Sequence, residues 1–250
     1  MKIQKWGFLA SLAAFAALGS CNVNVKVEHT DGFGNALDGK TFSVLGDSYS
    51  TFVGAVSPDT NYVWYTPQVI ENNCTDVSSA DQIWWSIVAD SLGMELMQNN
   101  SFSGSTVCNH GYDKADYADR SFITRQSNLP KSDFIFVFGA TNDSWSGAPV
   151  GTYDYERFTP DSLYTFRPAM ALLLSRLKAA QPEAQIVVLI NSELRSEIAE
   201  SCMAISDHYN VPYINLYDID KQCGHPTKAG QAAIAKQVIK RLTMLKQGGE

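Results

Sequence analysis

A serine stands at the point where the first strongly apolar run of the chain ends. Phe42 to Leu45 are followed by Gly46-Asp47-Ser48, so the pattern predicts a buried strand and then a turn that displays the serine. A serine hydroxyl held in this way is a candidate nucleophile, since an adjacent base can take its proton. Hydrolysis of an ester by serine also needs hydrogen-bond donors for the oxyanion of the tetrahedral intermediate.

Three further polar blocks follow Ser48 in the chain. They contain Gly104, in Asn100-Ser-Phe-Ser-Gly-Ser-Thr106; Asn142, in Gly139-Ala-Thr-Asn-Asp143; and His225, in Gly224-His-Pro-Thr227. Gly104 and Asn142 each follow a predicted strand, and His225 comes nine residues after the last one. Ligands of open parallel sheets bind beyond the carboxyl ends of the strands, so the four blocks are predicted to converge on one edge.

The four blocks, in this order, resemble the SGNH/GDSL hydrolase family over residues 41 to 242. The resemblance implies that Ser48 is the nucleophile and His225 the general base and acid. It also implies an oxyanion hole formed by the backbone N–H groups of Ser48 and Gly104 and the side-chain amide of Asn142. Asp143, beside Asn142, is expected either to orient its loop or to face the substrate.

The third member of the expected triad is the point where the chain departs from the family pattern. The family usually places an aspartate three residues before the histidine, and this chain has Gln222 there. Asp220, five residues before His225, is our first candidate for the orienting carboxylate. Glu193, or a Ser-His dyad assisted by a backbone carbonyl, are the alternatives.

The elements that must position these residues alternate between strands and helices. Short apolar runs predict strands at residues 41–45, 94–98, 133–138, 185–191 and 211–216, and apolar spacing of three and four predicts helices at 162–180, 196–209 and 227–245. Alternation of this kind indicates a parallel sheet. We therefore expect an α/β fold, a three-layer sandwich around a central, mostly parallel five-stranded sheet, which is the flavodoxin-like fold of the family.

Composition limits the classes of protein and partner. The 250 residues are 45% hydrophobic and carry a formal net charge of −7. A chain of this size buries the core of one domain, which we place at residues 40–250. The negative charge argues against a nucleic-acid partner.

The first residues have the layout of an export signal. Two lysines precede an apolar stretch, and Leu18-Gly19-Ser20-Cys21 looks like a bacterial lipobox. We predict a signal peptide at residues 1–20, lipidation of Cys21, and a tether at 21–39 that anchors an exported lipoprotein, in the outer membrane, facing the periplasm or the cell surface. An ordinary signal peptide with a chance cysteine is the alternative.

Four other cysteines remain, which in an oxidising compartment favours two disulfides. Of the three possible pairings we favour Cys74 with Cys108 and Cys202 with Cys223, because the second would pin the loop that carries His225. Free buried thiols are the alternative. Cys108 and Cys223 each precede a histidine by two residues, but the spacing is unlike that of structural zinc sites, so no metal or other cofactor is expected.

Aromatic residues near the blocks suggest the class of substrate. Trp145 lies three residues after Asn142, and Trp64 lies in the long insertion after Ser48; both are candidates for substrate contacts, since aromatic faces suit sugar rings or acyl chains. By analogy with the family, we expect an esterase that removes small acyl groups, above all acetyl, from glycans. A lipase or lysophospholipase and a non-catalytic glycan-binding lipoprotein are the alternatives.

Overall fold

A computed structural model describes residues 37–247, with side-chain surroundings as far as residue 244. The strands are β1 Thr41–Gly46, β2 Glu95–Ser101, β3 Phe134–Gly139, β4 Gln185–Ile190, β5 Tyr213–Asn215, β6 Lys221–Gln222 and β7 His225–Pro226. The α-helices are α1 Pro67–Glu71, α2 Trp84–Leu92, α3 Phe122–Arg125, α4 Thr141–Trp145, α5 Phe166–Ala180, α6 Ser196–His208 and α7 Lys228–Gln247. Short 3₁₀ turns occur at Ser48–Ser50, Ala80–Gln82, Tyr112–Lys114, Gln126–Asn128 and Asp161–Tyr164.

The central sheet has five strands in the order β2-β1-β3-β4-β5, and every neighbouring pair is parallel. The five strands and the three long helices predicted from the sequence are confirmed, with bounds that differ by a few residues. The strands β6 and β7 form a separate antiparallel hairpin, in which Gln222 pairs with His225. This hairpin carries the candidate base above the carboxyl edge of the sheet.

Both faces of the sheet are buried over β1, β3 and β4, because these strands are largely apolar on both sides, whereas the edge strand β2 is exposed at Glu95 and Met97. Phe134, Phe136 and Phe138 of β3 point into one core cluster, which includes the packed helices α2 and α7. Ile135 and Val137 point into the other cluster, with α3, α5 and α6. The alternation along one strand therefore produces the expected three layers, with helices covering each face of a parallel sheet.

The folded domain begins before the boundary predicted at residue 40. Leu37 is 2% exposed and belongs to the core, and the N–H of Gly39 donates to the carbonyl of Gly93. Residues 37–39, assigned above to the tether, thus pack as part of the domain. The predicted signal peptide, Cys21 and the rest of the tether lie outside the described residues, and among the helices described here none is long and apolar enough to span a membrane.

Candidate active site

Ser48 lies in a tight turn directly after β1. The N–H of Asp47 donates to the carbonyl of Phe138 on β3, and its Oδ1 accepts from the N–H of Tyr49 at 3.0 Å. A side chain at Gly46 would place its Cβ 2.3 Å from Oγ of Ser101, so only glycine lets the turn approach β2 this closely. The aspartate and the glycine of the Gly-Asp-Ser block therefore shape the turn that presents Ser48.

His225 is hydrogen-bonded to Ser48 in the geometry that a general base requires. Its Nε2 lies 2.9 Å from Oγ of Ser48, and its Nδ1 lies 3.1 Å from the carbonyl oxygen of Cys223. Because a carbonyl oxygen can only accept, Nδ1 carries the proton and Nε2 is left to accept from the serine hydroxyl. The two residues are 2% and 5% exposed, so the pair is shielded from bulk water.

The surroundings of His225 favour its neutral form. The pKa of His225 is lowered to about 4, chiefly by burial; the hydrogen bond to the Cys223 carbonyl opposes this lowering, and the positive charge of Lys221 adds to it. The imidazole is therefore neutral at pH 7, the state in which it can accept a proton.

The structure does not bring Asp220 to His225, which corrects our first candidate for the orienting group. The Oδ2 of Asp220 accepts from Oγ1 of Thr227 at 2.5 Å, because the turn into α7 folds that hydroxyl onto it. Glu193, the second candidate, forms an ion pair with Lys221 at 2.9 Å. Of the alternatives drawn from the sequence, the contacts of His225 match the dyad assisted by a backbone carbonyl.

The carbonyl of Cys223 is held in place by the chain around it. Cys223 has a positive φ of 48° and Gly224 one of 77°, and this turn directs the carbonyl back to the ring two residues on. A disulfide joins Cys223 to Cys74, and Nε2 of Gln222 donates to the carbonyl of Asn73 at 2.6 Å. Gln222, at the position of the usual aspartate, therefore binds the insertion rather than the imidazole.

The disulfide differs from the pairing favoured by the sequence. Cys74 pairs with Cys223 across 149 residues, while Cys108 and Cys202 are free thiols in the core cluster of α5 and α6. The favoured pairing was wrong because the insertion folds over the β6–β7 hairpin, a contact that no local pattern shows. In the part of the chain that the structure describes, no group of three or more His, Cys, Asp or Glu side chains is placed to share a metal ion.

Three donors predicted for the oxyanion hole lie at the same edge. The Nδ2 of Asn142 donates to the carbonyl of Ser105 at 2.9 Å, and its Oδ1 accepts from the hydroxyl of Tyr112 at 2.8 Å, which fixes the orientation of the amide. One N–H of that amide remains for a ligand. Gly104 has a φ of 82°, which favours glycine. Among the hydrogen bonds of residues 37–247, none is donated by the backbone N–H of Ser48 or Gly104.

Asp143 orients its loop rather than facing the substrate. Its side chain is 0% exposed, and its two oxygens accept from the N–H groups of Val107 at 2.8 Å and Cys108 at 3.1 Å. Burial raises the pKa of Asp143 to about 6, against the lowering effect of these two donors. The expected substrate contact of Asp143 is thereby corrected, since the carboxylate is enclosed by the loop that follows Gly104.

Arg125 is a buried residue of the site that the sequence did not reveal. Its guanidinium donates to the carbonyl of Gly46 at 3.1 Å, to Oγ of Ser105 at 2.9 Å and to the carbonyl of Asn100. It thus ties the nucleophile turn to the loop of Gly104. Burial lowers the pKa of Arg125 to about 9, while the nearby Asp47 raises it; burial also raises the pKa of Asp47 to about 7. Neither Arg125 nor Tyr112 stands in a pattern that could have identified it.

Three aromatic rings surround the imidazole of His225. The half-buried Trp64 stacks on it with ring centroids 3.6 Å apart and planes 9° apart. Trp145 and Tyr49 meet it at 5.8 Å and 5.4 Å with steeply inclined planes. Trp145 is 44% exposed, so it lies at the mouth of the site, whereas Trp64 lies against the base itself.

Comparisons with known proteins agree with the fold. The family model described as GDSL-like lipase/acylhydrolase matches residues 40–242. A structure solved as a candidate GDSL-like lipase of Bacteroides ovatus is 49% identical, with a TM-score of 0.79, and the match covers 84% of this chain and 99% of that one. A similar candidate lipase of Bacteroides uniformis is also 49% identical, with a TM-score of 0.80 and coverage of 82% and 96%.

A more distant structural match concerns a carbohydrate esterase. A family two carbohydrate esterase of Clostridium thermocellum, solved in complex with cellohexaose, is 14% identical with a TM-score of 0.56. The match covers 83% of this chain and 65% of that one, and at this identity it shows the shared fold alone. A search of curated proteins found no match.

Proposed function

The chain belongs to the GDSL-like lipase/acylhydrolase family, and from this premise we propose that it is a serine esterase that removes small acyl groups, above all acetyl, from glycans. The observation that carries the proposal is the 2.9 Å contact between Oγ of Ser48 and Nε2 of His225, with the other ring nitrogen bound to a carbonyl. This is the arrangement that converts a serine hydroxyl into a nucleophile.

In the proposed reaction, Nε2 of His225 takes the proton of Ser48 as Oγ attacks the acyl carbonyl. The resulting oxyanion accepts from the backbone N–H groups of Ser48 and Gly104 and from the free N–H of Asn142. His225 then protonates the leaving alcohol, and an acyl-enzyme on Ser48 remains. Water, deprotonated by the same imidazole, then attacks the acyl carbon; the bond to Oγ of Ser48 breaks, the imidazolium returns its proton to Oγ, and the acid is released.

Two features support a small acyl group on a sugar. The nucleophile and base are almost fully buried, while Trp145, 44% exposed, presents an aromatic surface beside them. A sugar ring can pack on such a surface while its short acyl group reaches Ser48. The likeness of fold to a carbohydrate esterase solved with cellohexaose is compatible with this substrate class.

The proposal is tested with the domain from residue 22 onward and p-nitrophenyl esters. Acetate is expected to turn over much faster than octanoate, and Ser48→Ala is expected to abolish turnover, while Ser127→Ala, at an exposed serine outside the site, keeps it. Release of acetate from acetylated oligosaccharides then tests whether the alcohol part of the substrate is a sugar. A preference for octanoate would favour the lipase alternative, and no turnover by folded protein would favour a glycan-binding protein.

We also propose that the chain is an exported lipoprotein anchored through Cys21. The support is Leu18-Gly19-Ser20-Cys21 after an apolar stretch. Mass spectrometry of the protein expressed from its full sequence in a bacterium is expected to show an acylated N-terminal Cys21. Cleavage at another site, or an unmodified cysteine, would refute the anchor without affecting the esterase proposal.

A further inference from the structure

The general base of this site forms its closest ring contact with Trp64. The indole and imidazole planes are 9° apart with centroids 3.6 Å apart, which is face-to-face contact. On its edge, the imidazole is held by Ser48 and by the carbonyl of Cys223. No carboxylate in the described part of the chain hydrogen-bonds to it.

This arrangement poses an electrostatic problem for the proposed reaction. When Ser48 attacks, His225 becomes an imidazolium at a buried position, where a positive charge is disfavoured. The titratable groups that face it are the hydroxyl of Tyr49, which donates to the carbonyl of Gly224, and the ammonium of Lys221, which is paired with Glu193. Two buried carboxylates lie nearby: Asp47 accepts from the N–H of Tyr49 in its own turn, and Asp143 of α4 accepts from backbone N–H groups of the loop that follows Gly104.

The segment that carries Trp64 is fixed to both catalytic residues. The backbone N–H of Trp64 donates to Oγ1 of Thr51 at 2.9 Å, and that hydroxyl donates to the carbonyl of Ser48 at 2.9 Å. The next residue, Tyr65, is fully buried and donates its hydroxyl to the carbonyl of Pro226 at 2.7 Å. The indole face is therefore held against the imidazole by contacts on either side of the dyad.

We propose, building on the esterase function above, that Trp64 is a positioning residue whose indole face stabilises the imidazolium of His225 and so takes over part of the role of a triad carboxylate. The face of an indole carries negative potential, and tryptophan is the strongest of the aromatic partners for a cation. The stabilisation appears only when the imidazole is charged, so it acts on the transition state more than on the resting enzyme.

The first test compares Trp64→Leu with Trp64→Phe, using p-nitrophenyl acetate at pH 7. The leucine variant keeps an apolar side chain and removes the π face, so kcat/KM is expected to fall about 3- to 30-fold through kcat, as expected for a desolvated cation–π contact. The phenylalanine variant is expected to recover most of that loss. A loss expressed in KM alone, or an equal loss in both variants, would overturn the proposal.

The second test measures the pKa of His225 by NMR of histidine-labelled protein in a Ser48→Ala background, which does not depend on catalysis. Adding Trp64→Leu is expected to lower the pKa by about half a unit to one and a half units, because the charged form loses its partner. Trp145→Leu, which removes the inclined ring at 5.8 Å, is the matched control and is expected to shift the pKa much less. An unchanged or raised pKa in the Trp64 variant would refute the inference even if the esterase is confirmed.

A third measurement covers the case in which Trp64→Leu does not fold. Fluorinated tryptophan keeps the shape of the indole and withdraws electron density from its face. Uniform incorporation is expected to lower the pKa of His225 progressively with the number of fluorine atoms, whereas the same labelling of a Trp64→Phe variant is expected to have little effect. Equal shifts in the two labelled proteins would contradict a specific role of Trp64.

Discussion

Asp220 provides the sharpest test of the catalytic geometry. If it were the third member of a triad, replacing it with asparagine would lower kcat about 10⁴-fold, the loss typical when a triad aspartate is neutralised. In the structure its Oδ2 accepts from Oγ1 of Thr227, and the Nδ1 of His225 instead donates to the carbonyl of Cys223. Asparagine keeps an acceptor for Thr227, so we expect Asp220→Asn to retain kcat within about threefold.

The structure also limits how much Asp220→Asn can change the stability of the protein. The hydrogen bond to Thr227 is the contact that changes, and its net contribution to the free energy of unfolding is about 0.5 to 1.5 kcal/mol. Urea unfolding is expected to show a loss within that range. A folded Asp220→Asn protein with kcat reduced 10³-fold or more would refute the dyad, and it would mean that the loop moves Asp220 to His225 during catalysis.

The same assay with p-nitrophenyl acetate tests the other two side chains that could orient His225, through one matched variant of each. Gln222→Ala removes a contact to the carbonyl of Asn73, and Glu193→Gln removes the partner of Lys221. Both are expected to stay within about fivefold of the wild-type kcat, since neither side chain touches the imidazole. A much larger loss for Glu193→Gln alone would identify that carboxylate as the electrostatic partner of the base.

Three further outcomes are expected. Because the pKa of His225 is lowered to about 4, kcat/KM should stay level from pH 8 down to pH 5, and a midpoint near the ordinary value of 6.5 would contradict the burial argument. Replacing Cys74 and Cys223 with serine opens a loop of 149 residues, so the free energy of unfolding should fall by up to about 5 kcal/mol in urea titrations; an unchanged midpoint would count against this disulfide. Tyr112→Phe frees the amide of Asn142 to rotate, so kcat should fall about 3- to 10-fold with KM unchanged, and an unaltered kcat would show that the amide is held by Ser105 alone.

Local sequence patterns are sufficient to predict the sheet and the residues at its carboxyl edge. Strands β1, β3 and β4 are short, largely apolar runs, and the polar blocks of Ser48 and Asn142 come where such a run ends, so the position of each follows from its neighbours in the chain. Gly104 follows β2, whose second half is polar. The same argument placed His225 at the correct edge, because it follows the last strand within a short loop.

Long-range contacts account for what could not be predicted. The pairing of Cys74 with Cys223 and the burial of Arg125 between two loops depend on how irregular segments fold over the sheet. Such segments lack hydrophobic periodicity, so the part of the chain that they contact cannot be predicted from their sequence. Asp220 is a reasonable candidate by sequence distance, but the β6–β7 hairpin and the hydrogen bond to Thr227 determine the direction of its side chain.

The insertion between Ser48 and β2 contacts His225 and its hairpin in a site where, among the described residues, no carboxylate hydrogen-bonds to the imidazole. At the position of the usual aspartate, Gln222 binds Asn73 of this insertion, and the neighbouring Cys223 is bonded to Cys74. Farther along the hairpin, the carbonyl of Pro226 accepts from Tyr65 and the imidazole stacks on Trp64. The insertion therefore fixes the carbonyl that orients His225 and supplies the aromatic face beside it. Because orientation and charge stabilisation are the two contributions of a triad aspartate, shortening this insertion should impair catalysis more than neutralising any single carboxylate of the hairpin.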